Sequence, residues 1–211
     1  MSFFAEMYYH FKVPLFEWKE QRWVKKHFYH DASFKALDEK LLSGPNPYTA
    51  ARVFPYGETP LRALYAIAKA VDLKPTDHFV DLGCGRGRAV FFLSHFFGCR
   101  ATGIDLTPSF IKNATRLAPN DKVTFLCQDF LSYDFKDTTC VYLYGTTYSD
   151  ACLEELKKRL STLPSGSRII TTSEPLFGTN QFPQLEVYFP WGKGSIFLEN
   201  NSCKYNSNIL N

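Results

Sequence analysis

An α/β fold is what this 211-residue sequence predicts: a parallel sheet with helices on both faces and an antiparallel hairpin at the C-terminal end. Three observations point there. Short apolar runs alternate with helix-periodic segments for more than a hundred residues from Leu61 onward. A glycine-rich turn, Gly83-Cys84-Gly85-Arg86-Gly87, joins the first of those runs to a helical segment. Acidic residues close three successive runs, at Asp81, Asp105 and Asp129.

Composition narrows the class. Hydrophobic residues make up 45% and charged residues 21%, as in globular chains. Twenty-four basic against twenty-one acidic residues leave +3, without the basic stripe of a dedicated nucleic-acid binder. No apolar run approaches the ~20 residues that span a bilayer. Glu6, His10 and Lys12 interrupt the stretch where a secretory signal would be apolar, so none is expected. The six cysteines are spread singly, with no C-x-x-C pair, and fit neither a disulfide scaffold nor a zinc module. Reduced thiols in a cytoplasmic protein follow, with no metal.

The elements run as follows. Residues 1–43 read as an aromatic, helical N-terminal extension. Ten of the 35 aromatic residues fall within the first thirty positions, and Trp18 and Trp23 lie among Lys19, Arg22, Lys25 and Lys26. Two readings stay open for it: packing on the domain that follows, or a lid or docking platform for substrate. Residues 44–60 form a Pro- and Gly-rich loop, of a length uncommon unless it binds something. The core spans 61–199, and a flexible polar tail 200–211.

Within the core, residues 61–73 are predicted helical, with Thr59 placed to cap and Pro60 at the first helical position. Residues 78–83 follow as a strand, and 86–97 as a buried helix stopped by Gly98. Residues 100–105 make a second strand. In 109–118, Phe110, Ile111, Ala114 and Leu117 share one helical face. Strands at 122–127 and 139–144 come next. The segment 149–163 lines Leu153, Leu156, Leu160 and Leu163 on one face, with Glu154–Lys158 and Glu155–Arg159 paired four apart on the other. Pro164-Ser165-Gly166 turns the chain into a strand at 168–173. Residues 185–189 and 195–199 form the hairpin, around Pro190-Trp191-Gly192-Lys193-Gly194.

The turn Val80-Asp81-Leu82-Gly83-Cys84-Gly85-Arg86-Gly87-Arg88 carries the chemistry. Glycines 83, 85 and 87 let backbone pass close to a ligand. Such loops in α/β proteins hold dinucleotides or S-adenosylmethionine. The dinucleotide fingerprint wants glycine where this chain has Arg88. A pyrophosphate would also be repelled by Asp81. A sulfonium amino acid carries a cationic amine and no phosphate, so the same carboxylate attracts it. Asp105 is placed to accept from ribose hydroxyls, with Leu106 beside it, and Asp129 to accept from an adenine amine, with Phe130 beside the ring. All three acids lie on the edge where open parallel sheets bind ligands.

Over residues 56–199 the sequence resembles the class I, seven-stranded S-adenosylmethionine-dependent methyltransferases. Tyr56-Gly57-Glu58-Thr59, Phe79-Val80-Asp81-Leu82-Gly83, Asp129-Phe130-Leu131 and Arg168-Ile169-Ile170 are similar to the disruptor-of-telomeric-silencing, non-SET lysine methyltransferases. Val141-Tyr142-Leu143-Tyr144 is similar to the lysine methyltransferases of the ATP synthase c-subunit. The resemblance implies a Rossmann-like seven-stranded sheet, with residues 44–60 as a cofactor-covering loop. It implies cofactor contacts for Tyr56, Glu58 and Thr59. At the fourth strand end the family carries Asn-Asn-Phe, where this chain has Tyr144-Gly145-Thr146.

The implied function is methyl transfer from S-adenosylmethionine to a protein side chain, lysine first. In-line displacement asks chiefly for alignment of donor and acceptor. Tyr144, Thr146 and Tyr148 are the candidate catalytic residues: the tyrosines for a channel that disfavours the charged amine, and Thr146 or Glu174 for a hydrogen bond to it. Tyr144 also counts among the cofactor contacts. Arg86 or Arg88 either meets the cofactor carboxylate or is a solvated loop arginine. A small-molecule methyltransferase, a nicotinamide-dependent oxidoreductase and a non-catalytic cofactor-binding module remain as alternatives. A protein partner is expected, with no membrane and no strong nucleic-acid signature; oligomeric state is left open.

Overall fold

The computed structural model describes residues 58–118, 120–144, 148–172, 174–177, 184–189 and 192–200. The expectations for 1–43, for 44–57 and for the tail beyond Asn200 lie outside the described residues.

Four helices and seven strands follow one another among these residues. They are α1 (Leu61–Ala70), β1 (His78–Leu82), α2 (Arg88–Phe97), β2 (Arg100–Asp105), α3 (Pro108–Leu117), β3 (Val123–Cys127), β4 (Cys140–Leu143), α4 (Asp150–Leu160), β5 (Arg168–Thr172), β6 (Gln184–Phe189) and β7 (Gly192–Asn200). A short 3-10 turn, Phe130–Ser132, sits between β3 and β4. The strands join in one sheet of order β3-β2-β1-β4-β5-β7-β6. The pairs from β3 through β5 are parallel, and β7 inserts antiparallel between β5 and β6.

Crossover handedness places the helices. The chain steps from β1 to β2 to β3 in one direction and from β4 to β5 in the other. Right-handed crossovers therefore put α2 and α3 on one face and α4 on the opposite one. Helix α1 packs on α2. Every residue of β1 is buried, as a strand covered on both faces must be. Val80 and Leu82 join Ile104, Val141, Leu143 and Ile169 in a cluster closed by Leu156 and Leu160 of α4. On the alternate face Phe79 stacks on Tyr142, with centroids 6.3 Å apart.

Four local expectations are corrected. Pro60, not Thr59, occupies the N-cap of α1, and no side chain caps it, because the Thr59 hydroxyl bonds Tyr142 instead. On α4 the ion pairs run three apart, Lys157–Glu154 and Lys158–Glu155, and Arg159 donates to the Tyr133 carbonyl at 2.9 Å instead of pairing with Glu155. The hairpin closes between Phe189 and Gly192, so Gly192, Lys193 and Gly194 belong to β7 and not to its turn. Asn200, expected in the tail, is the last residue of β7.

One buried acid was not anticipated. Glu199 on β7 is 2% exposed and accepts the amides of Leu176 and Phe177, both at 2.9 Å, which ties the segment after β5 to the sheet. No helix among the described residues is long and apolar enough to cross a membrane.

Candidate functional site

Strand order reverses between β1 and β4, so the loops after their C-terminal ends lead to opposite faces, the place where open parallel sheets take ligands. Asp81, next to last in β1, stands there with Gly103 of β2 and Tyr142 of β4 as register neighbours. Its carboxylate belongs to a residue only 5% exposed, and no hydrogen-bond donor among the described residues reaches it. Burial pushes its carboxyl up to about 8, and the Asp105 carboxylate pushes the same way. A buried acid with an acidic neighbour, reached by no donor among the described residues, gains most from a cationic ligand, which favours its ionised form.

Asp105 ends β2 and binds protein on both oxygens. Oδ2 accepts the Gly85 amide and Oδ1 the Thr107 amide, each at 2.8 Å. Each carboxylate oxygen keeps a further lone pair for a ribose hydroxyl. Leu106 beyond it is half exposed. Asp129 caps the 3-10 turn, with Oδ1 taking the Leu131 amide at 2.8 Å. The Phe130 ring lies buried in the α4-side cluster, edge-on to Tyr148 at 5.3 Å. It is 7% exposed, so its packing surface goes mainly to the core.

The glycine loop is held from several sides. Gly83, Gly85 and Gly87 take φ of 80, 53 and 81°. The amides of Gly83 and Cys84 donate to the Ile104 carbonyl at 2.9 and 3.0 Å. A Cβ on Gly83 would stand 2.5 Å from the Tyr148 hydroxyl, and one on Gly87 2.3 Å from the Phe125 ring. Gly87 is thus required by the protein's own packing. Arg86, left open between a cofactor carboxylate and solvent, instead pairs with Glu58. Its Nε donates to Oε1 at 2.9 Å and its Nη2 to Oε2, while Arg88 approaches the same carboxylate at 3.8 Å. Thr59 is buried and shares a 2.5 Å hydrogen bond with the Tyr142 hydroxyl.

Tyr148 meets the site through its hydroxyl near Gly83, and Tyr144 is half-buried just past β4. Burial raises both phenols, and Asp105 and Asp81 add to the rise at Tyr148. Both are therefore neutral near pH 7. Glu174 has an exposed side chain, and its carbonyl accepts from Thr171. Tyr56 and Thr146 lie outside the described residues. Among the described residues no group of three His, Cys, Asp or Glu side chains gathers to hold a metal.

Comparison with known proteins matches this geometry. Residues 81–180 match the family model of the ANTKMT methyltransferase domain. The RNA methyltransferase of Salinibacter ruber, solved with S-adenosyl-L-homocysteine, superposes with a TM-score of 0.58 at 23% identity, over 71% of this chain and 97% of that one. The fold is that of the class I S-adenosylmethionine-dependent methyltransferases. Among curated relatives, the H3 lysine-79-specific histone-lysine N-methyltransferase of Caenorhabditis elegans is 30% identical over 60% of this chain. Methyltransferase phqN of Penicillium fellutanum is 26% identical over 54% of it. The chain spans 15% and 37% of those two proteins.

This methyltransferase fold makes S-adenosylmethionine the expected cofactor, and the residues present fit it. Asp81 suits the cationic amine and Asp105 the ribose. Sequence reasoning missed Tyr142 and Gly103. Tyr142 reads as an ordinary strand residue until Thr59 is found on its hydroxyl. A Cβ on Gly103 would lie 2.7 Å from the Cys84 sulfur, beneath the glycine loop. A glycine inside a strand was the available signal.

Proposed function

We propose that the chain is an S-adenosylmethionine-dependent methyltransferase that modifies a lysine side chain of a protein. The observation that carries the cofactor half is the buried carboxylate of Asp81 at the switch point, which no donor among the described residues reaches. Support for the acceptor half comes from the ANTKMT domain match and the nematode lysine methyltransferase relative.

When bound, the cofactor supplies a methyl group activated by its sulfonium. The chain's own residues bind and align. Asp81 holds the cationic amine, Asp105 the ribose, and Asp129 the adenine edge, with Leu106 offering apolar surface. A lysine amine must reach the methyl group without its proton. Tyr144 and Tyr148 hold their own protons too firmly to take it, since burial raises both. They line a dry approach that disfavours the ammonium form, so the proton leaves to water as the amine enters. Orientation then supplies most of the acceleration. A cytoplasmic setting is part of the proposal, supported by free thiols at Cys84, Cys99, Cys127, Cys140 and Cys152.

Incubation with methyl-labelled S-adenosylmethionine, separately against a protein extract and a metabolite extract, tests the reading. Label on lysine in the protein fraction is expected. Label confined to metabolites would replace the acceptor by a small molecule, and cofactor binding without turnover would reduce the chain to a binding module.

A further inference from the structure

We propose that Glu58 is a positioning residue, holding the glycine loop in its cofactor-receiving path through Arg86 and Arg88. The inference rests on reading the switch point as the S-adenosylmethionine site, and concerns a residue whose carboxylate the resemblance had directed to the cofactor itself.

A loop with three glycines at positive φ has little path preference of its own, so contacts must define it. Its first half hangs on β2, through the Ile104 carbonyl and the Asp105 carboxylate. Its second half, around Arg86 to Arg88, is anchored from outside the sheet by Glu58. The electrostatics favour that anchor. Gly87 is the N-cap of α2, and the helix has no acidic residue in its first turn. Two guanidiniums therefore bracket a helix end that already carries partial positive charge. Glu58 places its carboxylate between them. The three side chains are only 12–21% exposed, where water screens charge weakly.

Thr59 fixes the anchor in turn. Its hydroxyl bonds Tyr142 of β4, and Tyr142 is the register neighbour of Asp81. Two consecutive residues thus connect the strand beside Asp81 to the far side of the glycine loop. Neutralising Glu58 lets the paired cations push the loop off its path. The Gly85 amide then leaves Asp105, and the ribose acceptor loses its orientation.

Titration calorimetry with S-adenosylmethionine on Glu58→Gln, Arg86→Gln and the double variant tests this, alongside thermal melts. Each single variant is expected to weaken affinity about tenfold at a stoichiometry still near one. The double variant should be no weaker than either single, because the two residues act as one unit. Unchanged affinity in Glu58→Gln overturns the proposal. So does a loss in Glu58→Gln with Arg86→Gln unaffected, which would mean that Glu58 touches the cofactor directly. A fall in stoichiometry at constant affinity would mark a merely structural role and overturns it too. Failure of the unaltered protein to bind overturns the cofactor reading itself, an outcome distinct from the others.

Discussion

The Gly85 amide donates to Oδ2 of Asp105 at 2.8 Å, so the glycine loop and the end of β2 form one unit. A residue expected to serve ribose alone also builds the wall beside it. Replacing Asp105 by Ala therefore removes ligand acceptors and two loop anchors together. Affinity for S-adenosylmethionine should fall by roughly 1.5–3 kcal/mol, about ten- to hundredfold, and the cofactor-free protein should melt several degrees lower. Calorimetry and thermal melts read the two effects separately. A loss of affinity with an unchanged melt would deny the anchoring role.

Gly87 and Gly166 share a φ of 81° and differ in surroundings. A Cβ at Gly166 meets nothing within 4 Å, whereas at Gly87 it would overlap Phe125. Gly166→Ala should cost only the left-handed strain, about 1–2 kcal/mol. Gly87→Ala adds overpacking of about 1–3 kcal/mol more. Denaturant melts should rank them in that order, and equal costs would contradict the packing argument.

Proton release on cofactor binding follows from Asp81. With its carboxyl pushed up to about 8, Asp81 is mostly protonated at pH 7 before binding, and a cationic amine beside it favours the ionised form. Calorimetry in buffers of different ionisation heat should show a proton released at pH 7, and affinity should rise from pH 6 toward 8. Between about pH 4 and 8 the folded, cofactor-free protein holds more protons than the unfolded chain. Asp81 therefore makes stability fall as pH rises through that window. Asp81→Asn should abolish the proton release and stabilise the empty protein above pH 8. Binding heats that do not change with buffer would refute this.

His78 acts at the acid end. Its Nε2 lies 2.8 Å from the Thr102 hydroxyl, and Arg100 donates to Nδ1 at 3.0 Å. Burial, then the Arg100 charge, holds its ring below the usual 6.5. The folded protein keeps His78 neutral where the unfolded chain protonates, so the stability it contributes is present above pH 6.5 and lost as pH falls below it. Melts of the native protein should drop below pH 6.5, and His78→Gln should flatten that limb. An unchanged acid limb would remove His78 from the account.

Much of the scaffold was readable because strands covered on both faces show as short apolar runs; β2 was placed at 100–105, where it is found. Side-chain partners distant in sequence were not. Glu58 and Arg86 stand twenty-eight residues apart, and no local pattern pairs them. Thr59 has the identity and position of a helix cap, but a buried tyrosine hydroxyl claims it. On α4 the spacing pointed to pairs four apart, and the Tyr133 carbonyl, distant in sequence, draws Arg159 away from Glu155. The acidic strand ends were legible as residues at an edge, while the burial of Asp81 beside Asp105 emerged only when its neighbours were assembled around it.

A crystal structure of the protein soaked with S-adenosyl-L-homocysteine tests the central claim most directly. The account predicts the nucleoside lying across the ends of β1, β2 and β3, its amine against Asp81 and its ribose hydroxyls on Asp105. Density for the nucleoside elsewhere, or phosphate seated beside Asp81, would contradict it.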